Sequence, residues 1–309
     1  MPAKRILVVY YSQTGDVAEI MTRFIEPIRR LPDVDVTVQC LQPVEPYPFP
    51  WGSLTRLASV FPECHRGGGK GIRPLSIGRG DSFDLVILAY QVWFLAPSLP
   101  IQDFFKSEYS EVLRGARVIT LCVNRNMWHS GSEAMKQLLR DAGALHLDNV
   151  VVTHQGPPFA TFISVPRFLL SGKRESLWGI FPPAELGQQD LDRAQRLGTA
   201  VADQLRGQND RPTQPLLSGK GAVHVVRRTI VPELLAWYAY QASASFVLFA
   251  GRAGQWARQL AIRLFLLVLL LAIFVGVPFM LLGTLVFYPF VFRSIRRYAI
   301  RLSEPSGEA

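Results

Sequence analysis

The first residues with the means to do chemistry form a short hydroxyl-rich loop that directly follows an apolar run near the start of the chain. The loop consists of Ser12, Gln13, Thr14, Gly15, Asp16 and Val17. An amphipathic helix is predicted to begin at this loop, so free backbone N–H groups and the positive end of the helix dipole would converge there. Two hydroxyl donors and a glycine that lets a ligand approach the backbone add to the character of an anion site.

The sequence of this loop narrows the kind of phosphate that it would hold. The Walker pattern is absent because no lysine follows Gly15, and the dinucleotide pattern GxGxxG is absent as well. A loop of this kind without a cation suits the phosphate of a ligand that other segments also hold, such as flavin mononucleotide (FMN). The alternative is an ordinary strand–turn–helix connection with a well-capped helix.

A second candidate segment follows the apolar run of residues 83–90. It consists of Gln91, Val92, Trp93, Phe94 and Leu95, and Pro97 and Pro100 make the following chain rigid. Open α/β sheets bind ligands at the carboxyl ends of their strands. A planar ring needs aromatic faces and backbone groups at its edge, and this segment offers both. The alternative is that Trp93 and Phe94 only pack in the core.

A third candidate segment follows the apolar run of residues 117–123. Its residues are Asn124, Arg125, Asn126, Met127, Trp128 and His129. The first two segments resemble the flavodoxin family, and in a flavodoxin-like sheet this loop would face the flavin ring. That resemblance implies that Arg125 would stabilise negative charge on the reduced flavin, Asn126 would bond to the ring edge, and Trp128 would stack on the ring. His129, or His154 after the next apolar run, would move a proton. The alternative is a solvated loop with one packed tryptophan.

Together the first two segments resemble the flavodoxin family. The resemblance lies in residues 11–16, which match the FMN phosphate loop, and in residues 92–100, which are similar to the VWxxxPxxP loop of flavodoxin-like quinone reductases. It implies FMN as the cofactor. Asp16 and Val17 depart from the Asn and Thr that usually end the phosphate loop, so a negative charge is gained and a hydroxyl donor is lost.

Residues 152–173 and 124–129 resemble a narrower bacterial group, the dialkylresorcinol condensing enzymes. This resemblance covers about residues 4–205. It implies flavin-dependent oxidation of a long-chain cyclic diketone to a resorcinol, or a related step on a lipid-like polyketide. It also implies a ketosynthase or an acyl carrier protein as a partner.

The elements that would position these loops alternate between strand and helix. Apolar runs predict strands at 6–11, 34–40, 83–90, 117–123 and 150–154, and helical spacing follows 133–142 and 188–206. The expected fold class is α/β, a flavodoxin-like doubly wound parallel five-stranded sheet of order 2-1-3-4-5. This domain would span 1–206, with an insertion at 42–82, followed by a linker at 207–221.

The remaining residues, 222–309, predict a helical membrane-associated tail. Residues 205–309 carry 12 Lys and Arg against four Asp and Glu, so most of the net charge of +9 lies there. Residues 264–292 contain no charge, and as one helix they would be ~43 Å long, beyond a hydrocarbon core of ~30 Å.

Arginines flank both sides of this apolar block, which itself contains Gly276, Pro278 and Gly283. A re-entrant hairpin with both ends in the cytoplasm satisfies its length and its flanking charge, and a tilted single span is the alternative. Residues 222–251 would lie at the headgroup level or pack on the first domain. The expected location is the cytoplasmic face of the inner membrane.

Composition and spacing exclude several other classes of protein. The arginines bracket an apolar block rather than a polar face, which argues against nucleic acid. Three widely spaced cysteines give neither a metal pattern nor a disulfide framework. Two main interpretations remain, an FMN oxidoreductase acting on a lipid-like substrate and a non-catalytic membrane-tethered binding or scaffold subunit. An electron-transfer protein is a third, which the near-neutral charge of residues 1–204 disfavours.

Overall fold

The computed structural model describes residues 3–124, 127–153, 158–181, 183, 185–207, 212–276 and 292–307. Predicted site residues Arg125, Asn126 and His154 lie outside these ranges.

The described chain builds one mainly parallel sheet. Its strands are β1 (Lys4–Tyr10), β2 (Val34–Cys40), β3 (Leu85–Trp93), β4 (Ala96–Pro97), β5 (Arg117–Asn124) and β6 (Leu145–Thr153). The five long strands are parallel and lie in the order β2-β1-β3-β5-β6, which is the predicted order 2-1-3-4-5 when β4 is not counted. β4 was not predicted, and it pairs antiparallel with the end of β3.

The helices of the described chain follow the strands and continue into the tail. They are α1 (Asp16–Arg29), α2 (Leu54–Ala58), α3 (Phe61–Arg66), α4 (Leu99–Lys106), α5 (His129–Asp141), α6 (Pro158–Ser171), α7 (Gln188–Gly207), α8 (Ile230–Gly251), α9 (Gln255–Leu271) and α10 (292–303). The apolar strands β1, β3 and β5 are buried almost throughout, as expected for a sheet covered on both faces. The fold is therefore the flavodoxin-like α/β fold with a helical C-terminal region.

Helices α1 and α7 cross so closely that the crossing requires a glycine. A Cβ atom built on Gly198 would lie 1.9 Å from the carbonyl oxygen of Phe24. No carbon can occupy that position, so the two helix backbones are in direct contact. This contact fixes the start of α1, and with it the hydroxyl-rich loop, relative to the sheet.

The tail packs on the sheet domain through α8. This helix contacts α3 and α5, and it carries Glu233, which is fully buried at the start of α5. The backbone N–H of Ser130 donates to Glu233 Oε1 at 2.7 Å, and Glu233 Oε2 lies 2.9 Å from His129 Nδ1. A carboxylate at this position also meets the positive end of the α5 dipole.

The chain returns to the sheet domain after the apolar block. Ile295, Ala299 and Leu302 of α10 are buried in the main core. Beyond α10, the Ser306 hydroxyl donates to Asp148 Oδ1 at 3.0 Å. The same carboxylate accepts backbone N–H groups at Leu216 and Leu217, within the predicted linker.

Helix α9 has the length and composition of a membrane span. Residues 255–276, which comprise α9 and the π-helical turn Ala272–Gly276, contain an 18-residue window with a mean hydropathy of 2.5, and only 17% of that window is buried. It is the one such helix in the part of the chain that the structure describes. Its outer face exposes large side chains at Leu264, Leu267, Val268, Leu271 and Phe274.

Candidate functional site

A cavity of about 350 Å³ lies at the carboxyl edge of the sheet, where all three predicted loops meet. From the predicted site it is lined by Gln13, Thr14, Asp16, Val17, Gln91, Val92, Trp93, Phe94, Leu95, Asn124 and Met127. The rest of its wall comes from α2 and its neighbours, from β5, α6, α8 and α9, and from the turn after α9. These residues are Trp51, Leu54, Leu57, Ala58, Val60, Val123, Val165, Pro166, Leu169, Tyr240, Leu266, Leu269 and Ile273. The structure therefore joins the predicted loops to the apolar tail in one site.

The first loop is held by its own side chains and by Gly15. Gly15 has a φ of +93°, which favours glycine, and its carbonyl accepts the first bond of α1. The Ser12 hydroxyl accepts the N–H of Ala18 at 3.2 Å, so it satisfies one of the free N–H groups in the first turn of α1. Gln13 Nε2 donates to the carbonyl oxygen of Pro48 at 3.0 Å, which ties the loop to the insertion.

The charge of Asp16 is neutralised by an arginine from a distant segment. Arg174 Nη1 donates to Asp16 Oδ1 at 2.8 Å, and Arg174 Nη2 donates to the carbonyl oxygen of Thr14 at 2.6 Å. The Thr14 hydroxyl donates to the other oxygen of Asp16 at 3.0 Å. The loop thus contains a buried carboxylate with a matching cation, an arrangement that the sequence did not predict.

The second loop is strained where it meets the cavity. Phe94 and Leu95 have φ angles of 47° and 64°, in the left-handed region that ordinary residues rarely adopt. Two such residues in succession are typical of sites at which function requires an unusual backbone path. The pairing of β4 with β3 holds this reversal closed.

Helix α5 approaches this second loop closely at Gly131. A Cβ atom built on Gly131 would lie 2.8 Å from Val92 Cγ2. Trp93 presents its ring to the cavity and makes edge contacts with Tyr11, Tyr47 and Trp51, with ring centroids 5.9, 5.1 and 6.3 Å away. The loop is therefore braced from both sides.

Two buried polar atoms in the cavity wall lack a partner within the described chain. Gln91 Nε2 is a donor and Asn124 Oδ1 is an acceptor, and neither makes a hydrogen bond there. Buried polar atoms are nearly always hydrogen-bonded in native proteins, so two unpaired atoms in a cavity wall indicate that a ligand provides their partners. The edge of a flavin ring offers carbonyl acceptors and an N–H donor, which complement these two atoms. The residues present therefore fit FMN in this cavity.

The third loop contributes less to the described wall than its sequence suggested. Met127 lines the cavity, whereas Trp128 and His129 are only 1% and 2% exposed and lie in the interior, outside the described wall. The two rings contact each other edge to face, with centroids 4.7 Å apart. Roles for Trp128 and His129 at a cofactor stay predictions, as do those of Arg125, Asn126 and His154.

Several residues of the site were not predicted from the sequence. Trp51, Tyr240 and Leu269 line the cavity, and Arg174 neutralises Asp16 in the first loop. Trp51 and Arg174 lie in segments that carried no recognisable pattern. The apolar composition of α9 did mark Leu269, but as a membrane residue rather than as part of a binding site.

Burial favours the uncharged forms of Tyr240, which lines the cavity, and of His65, which contacts it. It raises the pKa of the Tyr240 phenol to about 12 and lowers the pKa of His65, whose ring contacts Tyr240, to about 4. Both groups are therefore neutral near pH 7. Among the described residues, no cluster of His, Cys, Asp and Glu could hold a metal ion.

No protein-family model and no curated protein sequence matches the chain. Solved structures with similarity include a flavodoxin from the domain Archaea, with 12% identity and a TM-score of 0.36, covering 65% of this chain and 99% of that one. A WrbA-like flavodoxin protein from Agrobacterium tumefaciens has 13% identity and a TM-score of 0.34, covering 66% and 99%. A flavodiiron protein from Giardia intestinalis has 10% identity and a TM-score of 0.38, covering 67% and 37%.

Proposed function

We propose that this protein is a membrane-associated, FMN-dependent oxidoreductase that acts on a lipid-like or polyketide-derived substrate. One observation carries the proposal. A single cavity is lined by the hydroxyl-rich loop, by the strained aromatic loop, by Leu266 and Leu269 of the apolar helix α9, and by Ile273 just beyond that helix. A redox cofactor and a hydrophobic substrate would therefore meet within one enclosure.

The side chains of this chain would bind and orient the two ligands. Gln91 and Asn124 would hydrogen-bond the edge of the flavin ring, and the rings of Trp93 and Phe94 would contact its face. When bound, FMN supplies a two-electron acceptor. The apolar wall from α2, α6 and α9 would exclude water from the reacting groups and hold an alkyl chain.

The more specific proposal is that the enzyme aromatises a long-chain cyclic diketone to a dialkylresorcinol. This step removes two hydrogens, one as a proton and one with the electron pair, so it needs a two-electron acceptor and no metal. A ketosynthase or an acyl carrier protein would supply the diketone. The sequence resemblance of residues 124–129 and 152–173 and the apolar wall of the cavity support the proposal.

We further propose that α9 enters the cytoplasmic face of the inner membrane as one limb of a re-entrant hairpin. The chain contacts the sheet domain before the apolar block, through α8, and after it, through α10. Both ends of the block would then lie on the same side of the membrane. A cysteine introduced as Glu304→Cys should be labelled only from the cytoplasmic side, and labelling from outside would refute the hairpin.

An absorbance spectrum of the full-length protein in mild detergent tests the central proposal. We expect yellow protein that releases FMN on denaturation. A cyclic diketone with a long alkyl chain should bleach the flavin band under anaerobic conditions, and the same diketone without the chain should do so far more slowly. Protein that stays colourless with added FMN would refute the redox function and leave the scaffold interpretation. FMN reduced equally by both diketones would refute a lipid-like substrate.

A further inference from the structure

Arg174 is bound to Thr14 and Asp16, two residues of the cavity wall, although nothing in the sequence pattern marked it. It follows α6, after a turn in which Gly172 has a φ of +75°. From there the guanidinium reaches the first loop and lies against the Phe168 ring, with its central carbon 4.8 Å from the ring centroid. Asp16, Thr14 and Phe168 together fix its orientation.

The negative charge of Asp16 disfavours a phosphate at the first loop, and Arg174 neutralises that charge. A carboxylate in the first turn of α1 would repel a phosphate bound at the same helix start, and at 4% exposure solvent screens it weakly. Arg174 cancels that charge directly, at 2.8 Å. The contacts with Asp16 and Thr14 use two of the five N–H groups of the guanidinium, so three N–H groups can still be donated to an anion.

We infer that Arg174 is a cofactor-binding residue that donates to the phosphate group of FMN, and that Asp16 holds its guanidinium at the loop. This inference rests on the proposed function. Asp16, which replaces the usual Asn, then has a role in the site, because its carboxylate orients the guanidinium of Arg174 and the loop has no cation of its own. The same contact ties α6, which covers the cavity through Val165, Pro166 and Leu169, to the phosphate end.

The binding of FMN and of riboflavin to full-length protein in detergent tests this inference. Riboflavin carries the same ring but no phosphate, so a residue that acts on the phosphate affects only FMN. For Arg174→Gln we expect FMN to bind at least tenfold more weakly, with riboflavin affinity unchanged, measured by quenching of flavin fluorescence. Arg206→Gln is the control, because the Arg206 side chain is 61% exposed and pairs with Asp203 in its own helix, α7.

The outcomes separate this inference from the function on which it rests. Equal losses for FMN and riboflavin, or no loss for either, would show that Arg174 only braces the loop and would overturn the inference alone. Wild-type protein that binds neither flavin would overturn the proposed function as well. If Arg174→Gln does not fold, Arg174→Lys keeps the charge but not the forked geometry, and it should weaken FMN severalfold and leave riboflavin unaffected.

Discussion

Replacing Glu233 with alanine should release the tail from the sheet domain and destabilise the whole protein. Glu233 is fully buried, accepts the N–H of Ser130 at 2.7 Å, and lies 2.9 Å from the imidazole of His129. The variant would leave that N–H and the imidazole buried without a carboxylate. Because α8 positions α9, it would also loosen the apolar wall of the cavity.

The expected loss follows from these contacts. A hydrogen bond to a charged group contributes ~1.5–3 kcal/mol, and a buried polar group left without its partner costs a further ~1–3 kcal/mol. We therefore expect Glu233→Ala to lower the free energy of unfolding by ~3–5 kcal/mol, a large part of the ~5–15 kcal/mol of a typical protein. Glu233→Gln should lose less, since its amide oxygen can still accept from Ser130.

Denaturant unfolding in mild detergent, followed by tryptophan fluorescence, measures this loss. Trp128 lies in the core beside His129 and should report the change. Glu45→Ala is the control, because the Glu45 side chain is 74% exposed and its ion pair with Lys70 should contribute less than ~1 kcal/mol. If Glu233→Ala and Glu45→Ala lose the same free energy, Glu233 does not anchor the tail.

Three further changes test the packing, the ionisation and the cavity. Gly198→Ala should cost ~2–3 kcal/mol in denaturant unfolding because its methyl group would meet the Phe24 carbonyl, whereas Gly80→Ala, with no atom within 4 Å, should be nearly neutral. Burial lowers the pKa of His146 to about 3, so between pH 6.5 and 3 only the unfolded chain takes up this proton, and stability should fall as the pH is lowered, by up to ~1.4 kcal/mol per pH unit. His146→Gln should remove this contribution to the pH dependence, and an unchanged slope would contradict the assignment. Leu269→Trp should fill the part of the cavity next to α9 and abolish oxidation of a long-chain diketone without loss of FMN. The control Leu267→Trp, on the exposed face of α9, should have no effect. Equal activity of the two variants would refute the substrate site.

The sequence predicted the sheet well because buried parallel strands are continuous apolar runs. The start of β6 was missed, since His146, Asp148 and Asn149 make it polar. Asp148 is buried there because Leu216, Leu217 and Ser306 donate to it, and sequence spacing does not reveal such distant partners.

The same limit applies to the site. The first two loops were predicted because a strand, a loop and a helix start are contiguous in the chain, and their residues meet at the cavity. Arg174 and Asp16 are 158 positions apart, and Ser130 and Glu233 are 103 apart. Only the folded chain brings these pairs together, so the cation at the loop and the buried carboxylate of the tail had to come from the structure.

The return of α10 into the main core has a consequence for biosynthesis. Ile295, Ala299 and Leu302 fill part of the core of the sheet domain, yet the ribosome makes them roughly 100 residues after α7. At ~5–20 residues per second, synthesis of this stretch takes ~5–20 s, and during that time the core of the nascent sheet domain lacks these three side chains. During this interval the apolar block leaves the ribosome, so the apolar block must be accommodated before the core of the sheet domain can be completed.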